Sequence, residues 1–281
     1  MGSEALAILC GLAAAASFGT GDFCGGLATK RSSVFGVVVI SQIFGLMLLT
    51  GLAIALDEVI PSGTNLFFGG LAGLAGTLGL IALYIGLAQE RMGIVAPVSA
   101  IVGAILPIIV GFFLEGPPSA SQMIGLLLGI CAIWYLAGGG SAGSVHAREI
   151  GLPVLAGVGF GFFFICINQV SENAIFWPLI TARVVSITMI SMFVIISRRG
   201  IGVSGKRQII IVILAGLFDA GGNIMFALAS SVGRLDISTT ITSLYPAGTV
   251  LLAWLILRER LSVRQWFGVV VALAALVLVA S

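Results

Sequence analysis

Charge is what this sequence has least of. Of its 281 residues only 9% are Asp, Glu, Lys or Arg, against 59% hydrophobic, where a soluble domain carries roughly 25% charged residues. That is too little to clothe a water-facing surface, and a mean hydropathy of +1.21 makes lipid the solvent for most of the chain. Histidine occurs once, as His146. A serine hydrolase with an intramembrane histidine base is therefore excluded. There is no H-E-x-x-H and no His, Cys or Asp cluster at metal-ligand spacing. No enzyme activity, metal or cofactor is expected.

The net charge of +2 leaves no footprint for nucleic acid. Cys10, Cys24, Cys131 and Cys166 fall in apolar stretches without a C-x-x-C pair, the pattern of small hydrophobes inside helices. The first apolar segment begins at Glu4 without a basic leader and is followed by many like it, so a retained helix is expected there and not a cleaved signal.

What the chain has is long apolar runs. A spanning helix needs about 20 mostly apolar residues. Cutting at charges, prolines and polar clusters gives ten: 4–28, 33–56, 65–88, 93–114, 119–138, 150–170, 175–197, 208–229, 236–257 and 263–280. The runs are too long for strands and do not alternate, and lipid offers no partner to an open backbone amide. The flexible stretch Gly138–Ser144 lies at the middle and leaves five spans on each side. A shift of 143 residues superposes Arg91 on Arg234, Leu114 on Leu257, Ser119 on Ser262, Gln122 on Gln265 and Gly125 on Gly268. Five is odd, so two such halves in one chain must lie inverted, the plan of many secondary transporters. The expected fold is all-α and integral to the membrane: ten transmembrane helices as two inverted five-helix repeats around a central cavity. The first repeat occupies 1–140, a linker 141–149 and the second repeat 150–281.

Lysine and arginine set the orientation. The side holding both termini has only Arg234, while the other has Lys30, Arg31, Arg91, Arg148, Arg198, Arg199, Lys206, Arg207, Arg258, Arg260 and Arg264. Both termini are thus expected outside the cytoplasm, in a bacterial inner membrane.

Near its end the second repeat reads Leu257-Arg258-Glu259-Arg260-Leu261-Ser262-Val263-Arg264-Gln265-Trp266-Phe267-Gly268, with a glutamate six residues before the glutamine. This stretch resembles the repeat ending of the EamA-type members of the drug/metabolite transporter superfamily. The first half offers Leu114-Glu115-Gly116-Pro117-Pro118-Ser119-Ala120-Ser121-Gln122, one place longer, and Ser17–Phe23 is similar to a family first helix. The resemblance covers nearly the whole chain. It implies export of small metabolites by alternating access, with amino acids, aromatic or otherwise neutral, foremost and multidrug or nucleobase export as alternatives. A channel or passive scaffold is the competing class. In two respects the chain departs from the superfamily. Small multidrug members carry a glutamate in helix one where this chain has Ala13-Ala14-Ala15-Ala16, and ten-helix relatives are described with cytoplasmic termini.

Three charged residues sit well inside spans: Asp22, Arg183 and Asp219. A charge at mid-bilayer must pair or face water. At ~1.5 Å per residue, Arg183 and Asp219 lie about 12 and 15 Å deep, close enough to pair, with Arg183 as a grip for a carboxylate. Asp22 lies nearer a span end, within reach of water or in a proton-coupling role. Gln42, Ser99, Asn168 and Asn223 are further polar candidates for the cavity, and Tyr84 and Tyr245 its deep aromatics. Spans one, three, four, six, eight and nine are expected to line it. Pro97 and Pro107 in span four and Pro246 in span nine occupy equivalent helices, where kinks suit a gate. Gly69/Gly73, Ala72/Gly76 and Gly157/Gly161 place small residues on one stripe for close helix approach. The expected partners are a small-molecule substrate and the bilayer, with the protein a monomer.

Overall fold

The computed structural model describes residues 3–89, 92–115, 120–121, 123–125, 127–128, 131, 147–171, 174–203, 205–232, 235–258 and 263–279. Helices run along almost all of them: α1 Ser3–Thr29, α2 Val34–Ala55, α3 Gly63–Gln89, α4 Met92–Glu115, α5 Ala147–Ser171, α6 Phe176–Ser197, α7 Lys206–Val232, α8 Leu235–Thr242, α9 Tyr245–Leu252 and α10 Val263–Val279. A π-helical turn, Ala253–Leu257, extends α9. Among the described residues six helices are long and apolar enough to cross a membrane: 5–29, 34–55, 63–89, 150–171, 176–197 and 206–232. Apolar side chains such as Met47, Phe67, Ile195 and Ile196 are exposed along them, as the outer face of a membrane-spanning helix requires.

The repeat is visible in the helix bounds. Adding 143 to α3 (63–89) gives 206–232, the bounds of α7, and adding it to α4 (92–115) gives 235–258, spanning α8, α9 and the π-turn. The packing repeats as well: α1 lies on α7 as α3 lies on α5, and α2 lies on α7 as α3 lies on α6. Each half therefore packs mainly on the other, and the protein is an all-α integral membrane protein of two such repeats.

Small residues permit these approaches. A Cβ on Gly73 would overlap the backbone of Ala182, and one on Gly216 the backbone of Ser41. The expected stripes at Gly69/Gly73 and Gly157/Gly161 have this function, since Gly69 meets Pro178 and Gly157 meets Val102 and Ser99.

The second half differs from expectation at span nine. In place of one helix over 236–257, α8 stops at Thr242 and α9 starts at Tyr245. Pro246 lies in the first turn of α9, where its missing N–H and fixed φ are tolerated. Pro97 and Pro107, by contrast, lie inside α4, which continues through both. The expected fifth span and linker lie mostly outside the described residues. Residues 120–121, 123–125, 127–128 and 131 are helical, and 147–149 already belong to α5.

A candidate substrate cavity between the repeats

α1, α2, α3, α5, α6, α7 and α9 line a partly open cavity between the two halves. Its polar wall is Asp22, Gln42, Thr77, Arg183, Ser186, Asp219 and Asn223; its apolar wall includes Phe18, Phe160, Phe163, Phe164 and Leu179; Tyr245 also lines it. Arg183 comes from α6 and Asp219 from the middle of α7, thirteen residues from either end of 206–232. Their ion pair closes at 2.6 Å between Arg183 Nη1 and Asp219 Oδ2. The same Nη1 donates to Gln42 Oε1 at 2.6 Å, which ties α2 of the first half to the pair. Gly45, one turn from Gln42, packs closely on α7: a Cβ there would stand 3.3 Å from the Gly216 carbonyl oxygen.

The second guanidinium nitrogen, Arg183 Nη2, is buried and has no partner among the described residues, and the same holds for Ser186 Oγ. Asp22 is only 6% exposed. Its carboxylate makes no hydrogen bond or ion pair among the described residues. Asp22 thus belongs to the cavity wall and not to a water-reached span end, because Gly21 lets α1 come against the backbone of Asp219 at 3.1 Å from its would-be Cβ. Asn223 donates its side-chain amide to the Asp219 carbonyl at 2.8 Å, one turn back on α7.

The apolar wall is a packed aromatic cluster. Phe163 and Phe164 meet edge to face at 5.8 Å, Phe18 meets Phe164 at 6.4 Å, and Phe226 supports Phe164 from behind at 4.6 Å. Offset and edge-on contacts of this kind fix ring positions and add to the burial. Sequence reasoning missed these phenylalanines. Their signal, Phe162-Phe163-Phe164 within one helix, is common in any apolar span.

The expected site residues are only partly brought together. Asp22, Gln42, Arg183, Asp219, Asn223 and Tyr245 line the cavity. Tyr84 is fully buried but not in the lining, its ring laid against Gly25 of α1 and its hydroxyl unpartnered among the described residues. Ser99 is behind the wall, where its Oγ meets the Tyr245 hydroxyl at 2.7 Å. Asn168 is outside the lining; its backbone carbonyl accepts from Ser171 Oγ at 3.1 Å. Among the described residues none of span four lines the cavity, because α4 packs behind α5 and α9; spans two and seven line it in its place.

The polar wall breaks the pseudo-symmetry. At the 143-residue shift Asp22 falls on Ile165, Gln42 on Val185, and Asp219 on Gly76. One repeat geometry thus carries different side chains at equivalent positions of the cavity wall.

Inverted halves around a central, partly charged cavity define a polytopic membrane protein of the transporter type. A family model for the EamA-like transporter family matches residues 5–138 and again 148–281, so the chain belongs to that family, of the drug/metabolite transporter superfamily. A solved crystal structure of a protein shares the fold with a TM-score of 0.71 at 15% identity, over 98% of this chain and 96% of the other. No curated protein sequence matches the chain.

Proposed function

We propose that the protein exports small metabolites, foremost aromatic and other neutral amino acids, by alternating access of one half against the other. One observation supports this reading: Arg183 and Asp22 line the same cavity as Phe18, Phe160, Phe163 and Phe164, and among the described residues Arg183 Nη2 and the Asp22 side chain have no hydrogen-bond or ion-pair partner. These are the complements of a carboxylate, an ammonium and an apolar side chain. Both charges of a zwitterion need partners once water is excluded. A few convergent polar groups in an otherwise apolar cleft is the usual form of a small-ligand site. A phosphorylated sugar fits poorly, because a dianion would face one arginine already engaged by Asp219.

Ligand analogues test the reading without altering the protein. Phenylalanine should stabilise the purified protein and show saturable flux in liposomes. Phenethylamine, lacking the carboxylate, and hydrocinnamate, lacking the ammonium, should each bind at least about tenfold more weakly, the loss of one charged contact. Flux of purines or cationic drugs with no response to any amino acid would replace this substrate class by another. Flux that never saturates would make the protein a pore.

A further inference from the structure

The aromatic wall of the cavity is seated on glycines. The ring of Phe163, from α5, lies over Gly76 of α3: a Cβ on Gly76 would stand 2.9 Å from Phe163 Cδ2 and 3.5 Å from its Cγ, and the three nearest atoms across the interface all belong to that ring. The ring of Phe18, from α1, lies over Gly222 of α7 in the same way, with Cδ1 at 2.6 Å and Cγ at 2.8 Å from the would-be Cβ. Carbon atoms in contact normally stand about 3.5–4.0 Å apart, so neither position can carry a side chain while its ring stays in place. Gly79, the equivalent of Gly222 at the 143-residue shift, takes the Phe160 ring of α5 at 3.1 Å. Phe18, Phe160 and Phe163 line the cavity. Each of them thus rests on a glycine of the helix it faces.

Packing decides what would yield to an added methyl group. α3 and α5 touch backbone to backbone on both sides of Gly76: a Cβ on Gly159 would stand 2.7 Å from the Ala75 carbonyl oxygen, and one on Gly79 3.0 Å from that of Ala156. On another face of α3, Gly73 meets the backbone of Ala182 on α6. Held between two helices at backbone distance, α3 cannot retreat from α5 without pressing on α6. Phe163, by contrast, is half-buried and has the cavity on its open side. A methyl group at position 76 therefore turns the ring into the cavity, since swinging one side chain costs less than parting packed helices. At Gly222 the approach of α1 to the α7 backbone, 3.1 Å from a Cβ on Gly21 to Asp219 N, acts to the same end.

We propose that Gly76 and Gly222 set how large an apolar side chain the cavity admits, by seating the Phe163 and Phe18 rings against α3 and α7 and so keeping open the width that a ring-bearing substrate needs. This rests on the small-metabolite reading of the cavity and names the size class within it.

Affinities of alanine, valine, phenylalanine and tryptophan for the purified full chain test it. Gly76→Ala and Gly222→Ala should each weaken phenylalanine and tryptophan about tenfold or more relative to alanine, the scale on which an apolar pocket registers about one methylene. Gly70→Ala, on the same helix as Gly76, should leave the series unchanged, because its Cβ would meet nothing closer than 3.7 Å. Phe163→Leu keeps the Cγ, at an ordinary distance, and can turn its Cδ atoms away. In that background Gly76→Ala should no longer alter the size preference. Equal weakening of all four ligands, an unchanged series, or a Gly76→Ala effect undiminished beside Phe163→Leu would overturn the proposal. If Gly76→Ala alone fails to fold, adding Phe163→Leu should restore folding; a double variant that fails where Phe163→Leu folds would place the clash elsewhere and also overturn it. A ligand-free structure of Gly76→Ala is independent of the substrate. The Phe163 ring should be turned into the cavity, and an unmoved ring with α3 and α5 spread apart would refute the seat. A parent chain that binds no amino acid while the variant shows the turned ring would count against the amino acid reading alone.

Discussion

Glu58 and Trp177 clasp one another across the two halves. The Trp177 indole Nε1 donates to the Glu58 carbonyl at 2.8 Å, while Glu58 Oε2 accepts the Trp177 backbone N–H at 2.9 Å. The same carboxylate takes the backbone N–H of Ile175 at 2.8 Å and of Phe176 at 3.0 Å. A residue between α2 and α3 therefore caps the first turn of α6, where open amides and the helix dipole favour an anion. Glu58→Ala should lower stability by about 1–3 kcal/mol, and Glu58→Gln by less, measured by unfolding in detergent. Equal stability of Glu58→Ala and the parent would mean that water caps this turn as well.

The Arg183–Asp219 pair should be strongly coupled. Arg183→Met leaves a partly buried Asp219 without its cation and should cost up to about 3–5 kcal/mol. Adding Asp219→Asn should recover a large part of that loss, since the penalty comes from the orphaned charge. A double variant no better folded than Arg183→Met would show that Arg183 acts mainly through Gln42 and packing.

Gly216→Val should impair folding because its side chain would enter the backbone of Ser41 on α2. Overpacking of this kind typically costs about 1–3 kcal/mol, or more where backbone must move. Gly51, in α2 but with nothing within 4 Å of a would-be Cβ, is the control: Gly51→Ala should be tolerated. Yield and thermal midpoint of the two variants report the difference.

Tyr245→Phe and Ser99→Ala should each cost about 1 kcal/mol, with a coupling energy of about 0.5–1.5 kcal/mol in a double-mutant cycle. Their 2.7 Å bond is buried and joins α4 of the first half to α9 of the second. Additive losses would show that the two hydroxyls find other partners once separated.

Tags on both chain ends should be reached from the periplasmic face of intact cells, and a probe at Arg199 from the cytoplasmic face. The basis is the eleven-to-one bias of lysine and arginine between the two sides. Arg199 also stacks over Phe35 and Phe193 at 5.7 and 5.9 Å, which fixes it near the membrane edge of that side. Cytoplasmic labelling of both termini would reverse the assignment.

Sequence alone determined the solvent and the repeat, and it put Arg183 and Asp219 at depths close enough to pair; the tertiary structure closed the pair. Hydropathy and the fixed rise of a helix are local properties, so span bounds, their 143-residue period and the depths of the two charges follow from counting residues. It could not determine which side of each helix faces the cavity. These helices are apolar nearly all round, and without a polar stripe the inward face is set by neighbours and not by periodicity. Packing alone turned Gln42 onto Arg183 and gathered Phe18, Phe160, Phe163 and Phe164 into one wall. Packing also put Tyr84 and Ser99 behind that wall. Both Pro97 and Pro246 are legible as prolines in equivalent spans, yet α4 continues through the first while the chain breaks just before the second. A proline's cost depends on what surrounds the carbonyl it frees, and only the tertiary structure supplies those surroundings.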